Sequence, residues 1–213
     1  MSAEIPSEAI VEVQRVEMQD VEKVVLLDEQ GNAIGVAPKR DVHHERTPLH
    51  LAFSCYVFDT EGALLITRRA GHKKTWPGMW TNTACGHPAP GEDIFEAVQR
   101  RMHQELGIAV RGLRVVLPEF RYRAVMDNGV TENEICPVFM ATTVDRPTPD
   151  ADEVGDTAWV PWPTFRDDVV QRRRQVTPWC IEQVEQLATL PDNSHDGRRQ
   201  LPGAARPAGH RRQ

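Results

Sequence analysis

Short apolar runs separated by polar turns lie between residues 24 and 67, a pattern that is typical of strands joined in hairpins. The run Val24–Leu27 is followed by a polar turn that contains glycine, and a second run, Ala33–Val36, comes after it. The longer runs Ala52–Phe58 and Ala63–Thr67 flank another turn, which ends in glycine. Because glycine in a short polar linker favours a tight reversal of the chain, the sequence predicts two β-hairpins.

One segment has helical spacing instead. Between Asp93 and Leu106 apolar residues recur at every fourth position and therefore share one face of a helix, which Gly107 is expected to end. The remaining apolar runs predict the strands Val115–Leu117, Phe120–Val125, Ile135–Thr143 and Ala158–Val160, and the helices Pro163–Val170 and Thr177–Leu190. Many short strands with few helices predict an α+β or α/β sandwich rather than a helical bundle.

The two ends of the chain differ from this middle part. Residues 1–21 mix Glu, Gln, Ser and small apolar residues without a sustained period, and residues 191–213 contain five Arg, two Asp and several Gly and Pro. Such compositions supply too little apolar surface for a core. We therefore predict a single domain over residues 22–190, with a flexible extension over 1–21 and a disordered basic tail over 191–213.

Composition and charge narrow the functional classes. The net charge of −6 argues against a sequence-independent nucleic-acid binder, which usually presents a basic face. No apolar run approaches the roughly 18 residues of a membrane span, and the N-terminal segment lacks the apolar region of a signal peptide. The four cysteines are scattered and form no CxxC pair, which fits free thiols in a reducing compartment. We expect a cytoplasmic protein that binds neither nucleic acid nor membranes.

A set of histidines and glutamates has the chemistry of metal ligands. Glu132 and Glu134 are two residues apart, so in a strand both side chains would lie on the same face. Imidazole and carboxylate together suit a borderline divalent cation such as Zn²⁺ or Mn²⁺. Taken singly, each residue is equally well explained as a solvated or hydrogen-bonded side chain. The candidates are His43, His44, His50, His87, Glu132 and Glu134.

A second candidate region surrounds Cys85 and the predicted helix after it. Cys85 precedes a glycine in a stretch rich in Trp, Pro and Gly, which leaves its sulfur little covered. Arg101 and Glu105 are four residues apart and share a helix face, where an acidic residue could hold hydrated Mg²⁺ against a diphosphate. Three basic pairs, at 39–40, 68–69 and 73–74, suit phosphate groups or simply a solvated charged face.

Residues 86–108 resemble the Nudix box, whose pattern is Gly-x5-Glu-x7-Arg-Glu-apolar-x-Glu-Glu-x-Gly-apolar. The chain departs from it at two acidic positions, which hold Arg101 and Gln104. The resemblance implies that these positions supply catalytic metal ligands in a Nudix hydrolase, so the departure argues against diphosphate hydrolysis. The positions kept are Gly86, Glu92, Arg100, Met102, Glu105, Gly107 and Ile108.

Longer stretches on both sides of this box closely resemble the type I isopentenyl-diphosphate isomerase family. They appear in the family's order and extend from about Val24 to Trp179; they are residues 49–54, 68–70, 73–82, 85–88, 120–124 and 132–139. The resemblance implies a Nudix-like α/β/α sandwich with a mixed sheet flanked by helices, and a monomer. It also implies interconversion of isopentenyl and dimethylallyl diphosphate in isoprenoid biosynthesis, by a 1,3-allylic proton shift through a carbocation-like intermediate.

The resemblance assigns roles to individual residues. Cys85 and Glu134 match the acid–base pair, and Tyr122 and Trp179 match aromatic residues that stabilise the cation. One tightly bound Mn²⁺, Zn²⁺ or Mg²⁺ is implied at a site made by His43, His50, His87, Glu132 and Glu134. His43 is favoured over His44 because the match runs without a gap from Lys39 to His50. Glu105 and the backbone carbonyl of Cys85 match a second site, where Mg²⁺ binds with the substrate diphosphate. Lys39, Arg69, Lys73 and Arg101 are the candidate diphosphate contacts.

Two alternative functions stay open. The first is a Nudix-type diphosphate hydrolase, against which Arg101 and Gln104 argue. The second is a divergent Nudix-fold module that binds a ligand without turning it over. Retention of Cys85 and Glu134 argues against this module, because a binding protein needs no acid–base pair. Release of phosphate would favour the hydrolase, and metal binding without turnover would favour the module.

Overall fold

Two mixed β-sheets form the centre of the protein in a computed structural model that describes residues 22–190. The strands are β1 (Lys23–Leu27), β2 (Ala33–Pro38), β3 (His50–Leu51), β4 (Phe53–Phe58), β5 (Ala63–Arg69), β6 (Trp80–Thr81), β7 (Ala84–Gly86), β8 (Arg111–Leu117), β9 (Arg121–Val125), β10 (Thr131–Ile135), β11 (Val138–Thr142) and β12 (Val154–Pro161). The helices are α1 (Lys39–Val42), α2 (Ile94–Leu106), α3 (Trp162–Val170) and α4 (Pro178–Leu187). Across the described range, no helix has the length and hydropathy needed to cross a membrane. The predicted N-terminal extension and basic tail lie outside the described residues.

The strand order of each sheet confirms the predicted mixed sheet. The smaller sheet has the order β2-β1-β3-β10-β9, and the larger has β12-β5-β4-β11-β8, with β6 paired to β5 and β7 to β4. Strand β10 runs parallel to β3, and β11 runs parallel to β4. The other strand pairs, such as β4 with β5, are antiparallel. Two parallel pairs therefore place strands that are far apart in sequence side by side.

Helices cover both faces of the larger sheet. Cys55 and Val57 of β4 pack in the same apolar cluster as α2, whereas Tyr56 between them packs with α3 and α4. Alternate residues of a strand point to opposite faces, so α2 lies on one side and α3 and α4 lie on the other. This arrangement is the predicted α/β/α sandwich. It also explains why the run Ala52–Phe58 is apolar except at Ser54, since helices cover both of its faces.

Helix α2 has the start and the end that its sequence predicts. The Asp93 carboxylate accepts hydrogen bonds from the amides of Phe95 and Glu96, at 2.8 and 3.3 Å. Gly107 has φ +64°, and its N–H donates to the His103 carbonyl at 2.9 Å. A left-handed glycine just after the last helical residue is a common way to satisfy the final carbonyls of a helix.

Replacing Gly107 with alanine is expected to destabilise the fold more than the same change at Gly62. Both glycines have positive φ, of +64° and +83°, so each variant loses about 1–2 kcal/mol for its backbone conformation. A Cβ at 107 would in addition overlap the Thr148 hydroxyl, whereas a Cβ at 62 would meet nothing within 4 Å. Urea unfolding of both variants measures the free energy of unfolding. An equal loss in the two variants would show that the Thr148 side chain moves aside without cost.

The prediction of one strand over Ile135–Thr143 was wrong. Cys136 and Pro137 separate β10 from β11, and the two strands belong to different sheets. Proline has no N–H to donate to a strand partner, so the ladder stops there and the chain changes sheet. Helix α4 is also shorter than predicted and ends at Leu187. Helix α1 and strands β3, β6 and β7 were not predicted, because two to four residues carry no periodic signal.

Candidate active site

A cavity of about 730 Å³ opens between the smaller sheet, strand β7 and helix α2, a volume that is typical of small-molecule sites. Its walls are contributed by residues that are far apart in the sequence. His50 lies behind the lining, fully buried. The other twelve residues assigned by resemblance line the cavity: Lys39, His43, Arg69, Lys73, Cys85, His87, Arg101, Glu105, Tyr122, Glu132, Glu134 and Trp179.

Three histidines and two glutamates meet at one end of this cavity. The parallel pairing of β10 with β3 sets Glu134 directly beside His50. The Oε1 atom of Glu134 lies 3.4 Å from His50 Nε2 and 3.1 Å from His87 Nε2. Glu132, two residues earlier on the same strand, places its Oε2 atom 2.8 Å from His43 Nε2. Both carboxylates of β10 therefore turn to the same face, as their spacing predicts.

The donor atoms of this cluster fit a divalent metal ion. One ligand atom each from His43, His50, His87 and Glu134 lies within 4.8 Å of the others. His43 Nε2, His50 Nε2 and Glu132 Oε2 are buried, and their contacts across the cluster do not form well-aligned hydrogen bonds. Buried polar atoms without well-aligned hydrogen bonds cost about 1–3 kcal/mol each, and a divalent cation held by these atoms would offset that cost. The His50 ring also has its Nδ1 atom 2.9 Å from the Pro48 carbonyl, a contact that turns Nε2 toward the cluster.

His44 lies outside this cluster. Its side chain is exposed, and its Nδ1 atom accepts a hydrogen bond from the Arg46 amide at 3.1 Å. Since adjacent residues in an extended segment point in different directions, only one of the two neighbouring histidines can face the cavity. That residue is His43, which the ungapped resemblance favours.

Burial sets the protonation states of the site. Burial lowers the pKa of His87 to about 3, so its imidazole is neutral and available as a ligand. For Glu134, burial alone would raise the pKa, but the close contacts with His50 and His87 outweigh burial and hold the pKa well below the usual range. Burial raises the pKa of Cys85 to about 11, so at neutral pH this residue is a thiol beside an ionised carboxylate.

Cys85 sits on the short strand β7 with its side chain partly exposed to the cavity. Its Sγ atom lies 3.2 Å from Ser54 Oγ and 3.3 Å from Asn82 Oδ1. The next residue, Gly86, lets α2 approach this strand, because a Cβ there would lie 2.9 Å from both Arg101 Cγ and Phe53 Cζ. This glycine of the Nudix box is therefore a packing requirement for the strand that carries the thiol.

Other residues of the Nudix box hold the loop between β7 and α2. Arg100 donates to both carboxylate oxygens of Glu92, at 2.7 and 2.8 Å, and to the His87 carbonyl at 3.3 Å. This bidentate pair ties the backbone of a candidate metal ligand to the helix. Gln104, at one of the two departures from the box, is exposed and accepts from Arg100 at 3.1 Å. Its side chain lies away from the cavity.

Basic side chains converge at the other end of the cavity. Arg101 is buried and pairs with Glu105 on the same helix, as the spacing of four residues predicts. The guanidinium of Arg69 donates to the carbonyl and the hydroxyl of Thr75, both at 2.9 Å. Lys39 and Lys73 also line the cavity. Arg40 and Lys74 line it too but are exposed, and Arg68 is exposed and outside the lining. Positive charges of this kind on a cavity lining would attract an anionic ligand.

Sequence reasoning missed two acidic residues in this wall. Glu22 pairs with Lys39 at 2.8 Å and lies 3.5 Å from Arg101. Glu153 pairs with Lys73 and lies 3.4 Å from Arg101. The two residues are far apart in the sequence, and no local motif could have placed them in this cavity. They neutralise part of the basic wall and hold its long side chains in place.

Aromatic rings form another part of the cavity wall. The Trp179 ring is buried and lies 5.6 Å from Tyr122 and 5.3 Å from Trp76, measured between ring centroids. The Arg69 guanidinium stacks over Trp179 at 5.4 Å. Ring faces attract positive charge, as this contact shows. Trp76 has no assigned role, and its only signal in the sequence was the Trp-rich stretch that contains it.

Comparison with known proteins matches this chain and its fold to one family. Residues 48–180 match the NUDIX domain family. A Deinococcus radiodurans crystal structure superimposes with a TM-score of 0.60 at 17% identity, covering 78% of this chain and 98% of that one. The structure of a MutT NUDIX hydrolase from Burkholderia pseudomallei superimposes with a TM-score of 0.51 at 20% identity, covering 65% of this chain and 98% of that one. The chain therefore has the Nudix fold and belongs to the Nudix family.

Curated relatives place the chain more narrowly. An isopentenyl-diphosphate Delta-isomerase from Saccharopolyspora erythraea is 58% identical over 173 residues, which cover 81% of this chain and 89% of the relative. The enzyme of the same name from Mycolicibacterium vanbaalenii is 57% identical over 78% of this chain and 91% of its own length. Within the Nudix family, the chain belongs to the isopentenyl-diphosphate Delta-isomerases.

Proposed function

We propose that this protein interconverts isopentenyl diphosphate and dimethylallyl diphosphate in isoprenoid biosynthesis. The observation that carries the proposal is one cavity with a thiol and a carboxylate between an anion-binding wall and an aromatic wall. The reaction moves a double bond: one proton is added at C4, another is removed from C2, and the diphosphate stays intact. A hydrolase would need the acidic residues that Arg101 and Gln104 replace.

Cys85 and Glu134 form the acid–base pair of this proposal. Both line the cavity, and the charge of Glu134 contributes to the raised pKa of the Cys85 thiol after the larger effect of burial. One group delivers a proton to the alkene and the other accepts one, so the pair exchanges its protonation states in each turnover. A positioned acid or base contributes roughly 10²–10⁴-fold to a rate.

The aromatic wall suits the charge that develops during this transfer. Protonation at C4 leaves positive charge at C3, and water would trap such a cation. Tyr122 and Trp179 line the cavity and present apolar rings that exclude water and attract positive charge. The Arg69 guanidinium lies 5.4 Å from the centroid of the Trp179 ring, so this ring already has a cation over one face.

Two divalent ions complete the proposed site. His43, His50, His87, Glu132 and Glu134 would hold a tightly bound Mn²⁺, Zn²⁺ or Mg²⁺, which would fix the geometry of Glu134 and lower the cost of its charge. Glu105 and the Cys85 carbonyl would hold Mg²⁺ with the substrate, which would neutralise part of the diphosphate charge. Lys39, Arg69, Lys73 and Arg101 would contact the diphosphate oxygens directly.

Incubation with either pure isomer tests this proposal. The protein with its metal should convert isopentenyl diphosphate and dimethylallyl diphosphate into the same equilibrium mixture, as followed by ³¹P and ¹H NMR. Inorganic phosphate should not appear. Steady release of phosphate from either compound would instead support the hydrolase, and binding of both without conversion would support the ligand-binding module.

Replacing Arg69 with glutamine is expected to raise KM for isopentenyl diphosphate by roughly 10- to 150-fold, because hydrogen bonds to charged groups contribute about 1.5–3 kcal/mol. The change should lower kcat much less, since the lost contact binds substrate and transition state alike. Arg68→Gln is the matched control, because the neighbouring side chain is exposed and pairs with Asp156. Steady-state kinetics of both variants decide the point; similar KM values would remove Arg69 from the diphosphate site.

A further inference from the structure

A chain of buried hydrogen bonds links helix α4 to the sulfur of Cys85. Tyr56 Oη lies 3.0 Å from Gln183 Oε1, and Gln183 Nε2 lies 2.9 Å from Ser54 Oγ. Ser54 Oγ is in turn 3.2 Å from Cys85 Sγ. Tyr56, Gln183 and Ser54 have no solvent exposure at all. These hydrogen bonds lie behind the cavity wall, in the core between the larger sheet and α4. None of the roles assigned above involves them.

The chemistry of each partner decides which group donates and which accepts along this series of hydrogen bonds. The Tyr56 hydroxyl has two acceptors within reach, Gln183 Oε1 and the Cys180 sulfur, which lies 3.7 Å away. The amide oxygen is the stronger of the two, because sulfur is a weak acceptor. This bond assigns the amide oxygen to Tyr56, so the amide nitrogen faces Ser54 and donates to it. The serine hydrogen is then free to donate to a sulfur, and Cys85 Sγ at 3.2 Å is nearer than Cys136 Sγ at 3.4 Å.

Asn82 fixes the other side of the thiol. Its Nδ2 atom donates to the carbonyls of Cys55 and Ala84, at 3.1 and 2.9 Å, which uses both of its hydrogens. Its Oδ1 atom therefore faces Cys85 Sγ as an acceptor, at 3.3 Å. The thiol of Cys85 is thus held between an acceptor, Asn82, and a donor, Ser54. When the sulfur gives up its proton, the bond from Ser54 is already in place and no group in the chain needs to turn.

We propose that Gln183 is a positioning residue for Cys85, acting through Ser54. By donating to the serine oxygen, Gln183 orients the serine hydroxyl toward Cys85 Sγ, which fixes the rotamer of the cysteine and supports the sulfur when it carries negative charge. This inference rests on the proposed acid–base function of Cys85. Gln183 lies on a helix that is remote in sequence from the Nudix box. On this proposal it nevertheless contributes to proton transfer in the cavity.

The variants Ser54→Ala and Gln183→Met test this role. Each should lower kcat for isomerisation by about 10- to 100-fold, the effect of one hydrogen bond to a charged group, with KM and bound metal unchanged. Because Gln183 acts through Ser54, the double variant should be no slower than Ser54→Ala alone, whereas independent sites would multiply their effects. Gln186→Met, on the exposed side of the same helix, is the matched control and should keep the wild-type kcat.

The outcomes separate this inference from the proposed function. Wild-type protein that does not isomerise would refute the function of the site itself. Active wild-type protein with both single variants within about twofold of its kcat would refute the inference alone. Multiplicative losses in the double variant would also refute it, as would losses that only follow the unfolded fraction measured by thermal melting. Ser54→Ala removes one oxygen and keeps the test decisive if Gln183→Met does not fold.

Discussion

Replacing Cys85 with alanine is expected to abolish isomerisation in a protein that remains folded. The change removes the thiol, and the loss of one acid–base group lowers a rate by roughly 10²–10⁴-fold. Cys85 is partly exposed to the cavity, so truncation leaves the core intact. The measurement is kcat for formation of dimethylallyl diphosphate, together with a melting curve. Cys85→Ser should also be inactive, because a serine hydroxyl is a far weaker acid than a thiol.

Cys55→Ala is the matched control for this variant. Cys55 is fully buried on the face of the larger sheet that packs against α2, so its side chain does not line the cavity. This control should lose some stability to the small void it leaves, yet keep its turnover at a temperature where it is folded. Near-normal turnover in Cys85→Ala or Cys85→Ser would end the proposed role of this residue.

Replacing Glu134 with glutamine is expected to remove both activity and bound metal. The carboxylate lies 3.1 Å from one histidine and 3.4 Å from another and belongs to the four-residue ligand cluster, so the neutral amide weakens the site at its centre. Purified wild-type protein should carry about one tightly bound divalent metal ion per chain, and the variant should carry much less. Activity should fall by at least the roughly 10²–10⁴-fold of a lost acid–base group. Mass spectrometry of the elements and NMR kinetics measure the two quantities on one sample.

Glu119→Gln makes the same chemical change at an exposed position outside the cavity lining. This variant should retain the metal and the rate of the wild type. Full activity in a preparation that contains no metal would contradict the assignment of the histidine and glutamate cluster. Loss of metal with full activity in Glu134→Gln would support Glu134 as a ligand but would contradict its role as the acid–base partner of Cys85.

Periodic parts of the fold could be predicted from the sequence, and the breaks in the pattern could not. Helix α2 was predicted from a spacing of four residues between an N-terminal aspartate and a C-terminal glycine, which are local signals. The split of Ile135–Thr143 depended on Pro137, whose missing N–H matters only because β10 and β11 belong to different sheets. Which strands pair is decided by packing across the whole domain, and a single sequence does not show it.

The site shows the same division. Local spacing placed Glu132 and Glu134 on one strand face and Arg101 and Glu105 on one helix face, but it could not join either pair to the histidines. The resemblance to a family supplied that connection, and the structure brings the thirteen assigned residues to one cavity and its immediate wall. Contacts without a family motif stayed invisible, such as the hydrogen bond between Ser54 and Gln183, which are 129 positions apart.

Proton NMR of isopentenyl diphosphate incubated with the protein, Mg²⁺ and Mn²⁺ in heavy water tests the central claim most directly. If Cys85 and Glu134 exchange protons with solvent and deliver one to C4, dimethylallyl diphosphate must appear with deuterium in its new methyl group. Unchanged substrate would show that the cavity binds without turning over. Phosphate released without rearrangement would contradict the isomerase and establish a hydrolase on the same fold.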